Sequence, residues 1–494
     1  MQESSWPEND SYSELESLNS LLADLSPLSD SEEPSGEPIR NDYRRRKAAV
    51  ALVMIWSGTI ALHMFTWGYW VVLGLTTLMG IHAVRFLFAR PGMIPEPLSD
   101  EELATSPLVS IMVAAKNEEA VISRLVKTLC DLDYPSCRYE VWIIDDNSTD
   151  RTPILLEQLA KQYKQLRVFR RPKGAGGGKS GALNQVLPLA KGDIIAVFDA
   201  DAQVPADLLR RVLPLFKRPN LGAVQVRKAI SNVSNNAWIR GQVAEMALDS
   251  FLQQQRIAIG GIGELRGNGQ FVRRQALEDC GGWNEETITD DLDLTFRLHL
   301  KRWDIDFMLV PAVEEEGVTR AIALWHQRNR WAEGGYQRYL DYWQPIVRNR
   351  MGPLKTLDLF VFWIIQYVMP TAMVPDLLMA VLRSRPMLLT PISGITLPIF
   401  VYGMVVGLRR IQKNQQARSI ASADANPAQS MANPGVGNNL SLLKTLFQSL
   451  YGFIYMFHWL PIVASMTARI AIRPKRLKWI KTVHHGASPD LVAE

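Results

Sequence analysis

The chain has 494 residues, 47% hydrophobic and 21% charged, enough for more than one folded unit. Its three cysteines, Cys130, Cys137 and Cys280, form an odd set with no Cys-x-x-Cys spacing. They exclude a disulfide-stapled scaffold and a cysteine zinc site, and they fit a reducing cytosol.

The net charge of +4 conceals strong segregation, because residues 1–39 hold ten acidic side chains and no Lys or Arg. This Ser/Pro-rich stretch cannot bury enough apolar surface to offset its chain entropy, so residues 1–43 read as a disordered acidic tail. Arg44, Arg45, Arg46 and Lys47 then lead into the first apolar run, which begins too late for a cleavable signal peptide. At about 20 residues per crossing, residues 44–90 predict a transmembrane helical hairpin. Trp67, Tyr69 and Trp70 fall at its middle, as interfacial aromatics do at a short outer turn, and basic residues at both ends place both ends in the cytoplasm.

Residues 107–343 read as a soluble, cytosolic domain. The segments "LVSIMVAA", "YEVWIIDD", "LRVFRR" and "DIIAVFDAD" are short apolar strands, separated by helical patterns at 118–132 and 152–163. Strands apolar on both faces and alternating with amphipathic helices predict an α/β fold with a mostly parallel, doubly covered sheet. Ligands of such sheets bind at the carboxyl ends of the strands. Two strands here end in carboxylates, Asp145 with Asp146 and Asp199 with Asp201. One such pair is common in surface loops. Two pairs at equivalent strand ends surround a single crevice, where a divalent metal can neutralise them while binding phosphate oxygens.

Between those strands lies "KGAGGGKSGALNQ", residues 173–185. An ATPase P-loop needs Gly-x-x-x-x-Gly-Lys-Ser/Thr, and the register places lysine, Lys173, where the first glycine belongs. The loop is therefore not read as a P-loop, although its backbone N–H groups and the Lys179 ammonium still suit a diphosphate. Further on, Thr289 can cap a helix opening with Asp290 and Asp291, and Asp290 reads as a partner of the helix dipole. Gln327, Arg330 and Trp331 then fall at i, i+3 and i+4 on one helical face. An amide, a guanidinium and an aromatic plate on one face suit a sugar ring and a charged leaving group.

Residues 356–473 form a second membrane region, with two apolar stretches, a polar linker at 409–439 and a final apolar segment interrupted by Pro461. The basic tail, residues 474–494, reads as cytosolic, which demands an even number of crossings. The last segment is then either two short passes or an interfacial helix with a re-entrant piece. Basic clusters beside apolar spans favour anionic lipid headgroups over nucleic acid as partner. Few charges lie within the spans, Asp376 being the exception, and no internal repeat is evident, which argues against a transporter. His63, His82 and His458 lie in or beside apolar runs and read as packing or interface residues.

"IIDDNSTD", "FDADA", "TITDD" and "QRNRW", in that order and between membrane spans, resemble the D, DxD, TED and QxxRW signature of the family 2 glycosyltransferases, which include cellulose and hyaluronan synthases. One departure is Thr-Asp-Asp for Thr-Glu-Asp, which keeps the final carboxylate. The whole-chain layout looks most like a lipid-directed branch, the cyanobacterial monoglucosyldiacylglycerol synthases. The resemblance implies a GT-A-like domain in which Asp146, with Asp145 beside it, holds the uracil of a UDP-sugar. It implies that Asp199 and Asp201 bind the diphosphate and Mg²⁺ or Mn²⁺ with help from Lys179, and that Asp291 is the general base. Gln327, Arg330 and Trp331 would line the donor and acceptor end. The reaction so implied is inverting transfer of glucose from UDP-glucose to 1,2-diacylglycerol in a bacterial plasma or thylakoid-type membrane. The alternative is a processive β-glycan synthase on the same scaffold.

Overall fold

The computed structural model describes residues 38–232, 236–425 and 442–472. The acidic stretch before residue 38, most of the polar linker and the basic tail fall outside the described residues.

Seven strands form one sheet: β1 (Val109–Ala115), β2 (Tyr139–Asp145), β3 (Leu166–Arg170), β4 (Ile194–Phe198), β5 (Leu221–Ile230), β6 (Gln270–Arg273) and β7 (Asp304–Glu315). Their order is β3-β2-β1-β4-β6-β5-β7. The first four are parallel, as their unbroken apolar runs predict, while β6 runs antiparallel to both β4 and β5. The sheet is thus mixed at the half where the sequence offers no regular strand-helix alternation. Successive residues of β1 face opposite sides. Ile111 and Val113 join Leu125, Leu129 and Leu156 in one core layer, and Met112 joins Leu183, Val186, Leu294 and Leu298 in the other.

The helices that matter for the site are α1 (Pro38–Met64), α2 (Gly68–Phe88), α3 (Ile122–Cys130), α4 (Thr152–Gln162), α5 (Gly178–Val186), α6 (Ala237–Ala258), α7 (Asp290–Leu300), α8 (Ala321–Val347), α9 (Pro353–Leu382), α10 (Thr390–Ala425), α11 (Leu442–Met456) and α12 (Trp459–Ile472). Among the described residues five segments are long and apolar enough to cross a membrane: Tyr43–Met64, Gly68–Phe88, Pro353–Leu382, Thr390–Gln416 and Leu442–Ile472. α1 and α2 make the hairpin, with Trp67, Tyr69 and Trp70 exposed at its turn. The last segment breaks after Met456 into α11 and α12. At 15 and 14 residues each is about 22 Å long, shorter than the ~30 Å hydrocarbon layer.

Asp376, an acidic group within an apolar run, is fully buried in α9. It lies 2.7 Å from His63 Nε2 and accepts the backbone N–H groups of Leu388 and Leu389, tying the end of α1 to the turn after α9. Its burial is offset by these bonds.

α6 joins the sheet domain to the long apolar helices, and nothing in its composition announces this. Small residues let it approach closely. A Cβ at Gly407 of α10 would meet the Ala247 carbonyl oxygen at 2.2 Å, and one at Gly452 of α11 would meet the Ala244 Cβ at 2.3 Å.

Candidate active site

The register Ala115↔Asp145 and Val113↔Phe198 brings the carboxyl ends of β1, β2 and β4 to one edge. Asp145 is only 1% exposed: its Oδ1 accepts the Ser148 N–H at 3.0 Å, and Arg170 Nε lies 3.4 Å from its Oδ2. Asp145 therefore fastens the turn. Asp146 lines the cleft instead, paired with Arg171 Nη1 at 2.5 Å and with Lys116 Nζ at 3.9 Å.

The glycine loop leads into the first turn of α5 and delivers Lys179 to the same edge. At Gly177 the backbone is left-handed (φ 79°), and a Cβ would lie 2.2 Å from Glu285 Oε2, so glycine is required twice over. Lys179 Nζ sits 2.5 Å from Asp199 Oδ1. Burial works against the Lys179 ammonium, but Asp199, Asp290 and Asp291 hold its pKa well above the usual lysine range. Asp201 is fastened by the Glu316 N–H at 3.1 Å, which ties the end of β4 to the chain just after β7.

Asp290 and Asp291 stand in the first turn of α7, and both line the cleft. Thr289 occupies the capping position, but its hydroxyl makes no cap bond and its backbone carbonyl accepts from Asp293 instead. Gly334 of α8 packs close to Thr289, where an added Cβ would be 2.3 Å from Oγ1. Asp290 also exceeds a dipole role, since its Oδ2 is buried without a hydrogen-bond partner beside Asp291. Burial first, and the Asp290 charge second, push the Asp291 carboxyl up to about 6, against the pull of the Leu292 N–H, Lys179 and Arg266.

On α8, Gln327, Arg330 and Trp331 all line the cleft. Burial lowers the Arg330 pKa, and the nearby Asp199 and Asp291 carboxylates pull it back up. Sequence reasoning missed Arg328, which is buried and pairs with Glu245 of α6 through Nη2–Oε2 at 2.5 Å. Its guanidinium lies 4.2 Å from the Trp331 ring centroid, and Trp459 Nε1 donates to Glu245 Oε1 at 2.9 Å. Arg328 and Glu245 thus pin the Trp331 plate to both α6 and α12. Sequence reasoning also missed Lys116, Arg171, Lys228 and Arg266. The first two directly follow β1 and β3, so the strand-end rule that selects Asp146 could have found them. The others depend on β5 and on an irregular loop, which carry no local signal.

Except for Asp145 and Arg171, the site residues named above share one cleft of ≈ 2640 Å³ that also runs between the apolar helices. Among the described residues no cluster of three or more His, Cys, Asp or Glu is placed to hold a metal ion. Asp199 and Asp201 nevertheless fit a divalent cation of the kind held by one or two carboxylates and completed by substrate phosphate oxygens. The ammonium already seated against Asp199 shows that this carboxylate accepts a cation.

A strand-end cleft of this construction, on a GT-A-like sheet, defines a glycosyltransferase. The Glycosyl transferase family 2 model matches residues 110–281, and the chain belongs to that family. It is 58% identical to the β-monoglucosyldiacylglycerol synthase of Nostoc sp., over 98% of this chain and 99% of that protein. It is 55% identical to the synthase of the same name from Synechocystis sp., over 98% of each. Among solved structures, the mannosyltransferase PcManGT of Pyrobaculum calidifontis, in complex with GDP-Man and Mn²⁺, is 19% identical. It superposes with a TM-score of 0.49 over 82% of this chain and 97% of that one.

Proposed function

We propose that the chain transfers glucose from UDP-glucose to the free hydroxyl of 1,2-diacylglycerol with inversion, giving β-monoglucosyldiacylglycerol. The observation that carries this reading is the single cleft, polar at the strand ends and apolar among the helices, in a chain so similar over its length to synthases of that name. A polar donor and a lipid acceptor can meet there without either leaving its own solvent.

Asp146 takes the uracil end of the donor, and Lys179 faces its diphosphate. Asp199 and Asp201 would hold Mg²⁺ or Mn²⁺, which supplies neutralisation of the diphosphate charge. Arg330, close enough to feel Asp199 and Asp291, faces the departing UDP. Asp291 accepts the proton of the glycerol hydroxyl as its oxygen bonds to the anomeric carbon. The bond from that carbon to the diphosphate oxygen breaks, and its electron pair leaves with UDP. One displacement at an α-linked donor gives a β-glycoside. Gln327 and Trp331 flank the sugar. The domain lies on the cytosolic side, where the basic ends of the helices meet anionic headgroups.

The test is purified protein offered labelled UDP-sugars with diacylglycerol, with and without divalent metal. The expected product is a chloroform-soluble lipid bearing one sugar, formed from UDP-glucose only when metal is present. A long insoluble glycan would replace this reading with a processive synthase.

A further inference from the structure

The strand-end chemistry uses only part of the cleft. A second arm runs between α2, α6, α9 and α10, walled by Met79, Phe86, Val361, Ile365, Ile395 and Phe400. Leu397, also on this wall, is 39% exposed.

The polar groups that interrupt this apolar lining include the Arg256–Asp358 pair, 2.9 Å apart, and two side chains outside it, His82 and Gln366. His82 is 8% exposed, and its Nδ1 has no hydrogen-bond partner. Gln366 has a buried Oε1 that also lacks one. Leaving a buried polar atom unpaired costs about 1–3 kcal/mol, so two such atoms on one cavity wall call for a ligand. Gln366 lies in a π-helical turn, Ile364–Val368, of the kind found often at functional sites. The adjacent Tyr367 reaches towards the catalytic helices: a Cβ at Gly335 would lie 2.3 Å from its hydroxyl and 3.7 Å from Leu292, the residue after Asp291. His82 stands six residues before the end of α2, about 9 Å along the helix axis.

We propose that this arm is the acceptor site, with the acyl chains of diacylglycerol between α2, α9 and α10 and the His82 ring and Gln366 amide paired with its glycerol ester region. The inference rests on the lipid-acceptor reading above and gives it a location. A largely apolar arm suits a molecule with two hydrocarbon tails, and the ring N–H of His82 and the amide N–H of Gln366 can donate to its two ester carbonyls. The α11–α12 stretch from Phe453 to Leu460 also holds two buried unpartnered atoms, Tyr455 Oη and His458 Nε2, but neither residue lines the cleft, where Phe453, Met456, Phe457, Trp459 and Leu460 do.

Two measurements on the full chain in nanodiscs test this. Diacylglycerol with a diazirine midway along one acyl chain should cross-link to α2, α9 or α10 near Met79, Ile365 or Ile395. Labelling confined to α11 and α12 overturns the assignment. Ala83→Trp, which fills the arm, should raise the KM for diacylglycerol at least tenfold and leave the dissociation constant for UDP-glucose unchanged. Where that variant fails to fold, His82→Leu serves: a severalfold higher KM for diacylglycerol with unaltered UDP-glucose binding supports the site. A lower Tm with unaltered KM overturns it. Wild-type protein that makes no glucolipid at all removes the parent reading. Glucolipid made normally with the cross-link elsewhere removes only the arm.

Discussion

Lys179 Nζ lies 2.5 Å from Asp199 Oδ1, and Asp290 and Asp291 add their fields to the same ammonium. One fixed cation therefore already balances the acidic cleft that a nucleotide diphosphate must enter. Lys179→Ala removes a positive charge facing the diphosphate and leaves Asp199 to the metal alone. The KM for UDP-glucose should rise roughly 10- to 100-fold, equivalent to about 1.4–2.8 kcal/mol, while half-maximal activity is reached at lower metal concentration. Donor and metal titrations read both effects, and an unchanged donor KM excludes Lys179 from the donor site.

The Asp291 carboxyl, at about 6, must be ionised to accept a proton. Values of kcat/KM should be flat above about pH 7 and fall tenfold per pH unit well below 6, because protonation of the free enzyme removes the base. Asp291→Asn should lower kcat by roughly 10²–10⁴ and leave UDP binding within about twofold.

The same group has a stability signature. Its folded pKa is raised, so its ionisation opposes folding: the favourable neutral form is complete below the unfolded value, and that stability is lost as pH rises through about 6. Asp291→Asn should accordingly stabilise the ligand-free protein at pH 7.5 by roughly 1–2 kcal/mol, a figure reduced for its partial exposure. The gain should vanish by about pH 4. Thermal denaturation across pH checks the sign.

Glu245 is the joint between α6, Arg328 and Trp459. Glu245→Ala leaves a buried guanidinium unpaired, which costs about 3–5 kcal/mol. Glu245→Gln leaves one acceptor oxygen for the two donors, Arg328 and Trp459, so it keeps one of the two hydrogen bonds and should cost less, but it loosens the Arg328 that lies 4.2 Å from the Trp331 ring. The expected outcome is a lower kcat for Glu245→Gln with a small drop in Tm, and a large drop in Tm for Glu245→Ala.

Close backbone approach between α6 and α10 should be sensitive to one methyl group. Gly407→Ala places a Cβ 2.2 Å from the Ala247 carbonyl oxygen, whereas Gly58 of α1 has nothing within 4 Å. Gly407→Ala should destabilise by about 1–3 kcal/mol, and Gly58→Ala should be neutral or slightly stabilising. Matched Tm measurements in detergent decide it.

The parallel half of the sheet was legible because β1, β2 and β4 are buried on both faces and read as unbroken apolar runs. The carboxylates at their ends then followed from topology alone. β5, β6, β7 and α6 were not legible. β6 has only four residues, and α6 owes its place to Gly407, Gly452 and Ala247, whose fit exists only once the helices are packed. Asp146, Lys179, Asp199, Asp201, Asp291, Gln327, Arg330 and Trp331 do line one cleft. Asp145 turns inward and Arg328 turns to Glu245, because neighbours in sequence leave a strand end or helix on different sides.

The anomeric configuration of the lipid product tests the chemistry most directly. Proton NMR of glucolipid made by the purified wild-type protein from α-linked UDP-glucose, with Asp291→Asn as the blank, reads it from one coupling constant. A single displacement assisted by Asp291 predicts the β-glucoside and almost none from the variant. An α-glucoside, or β-product formed equally well by Asp291→Asn, contradicts it.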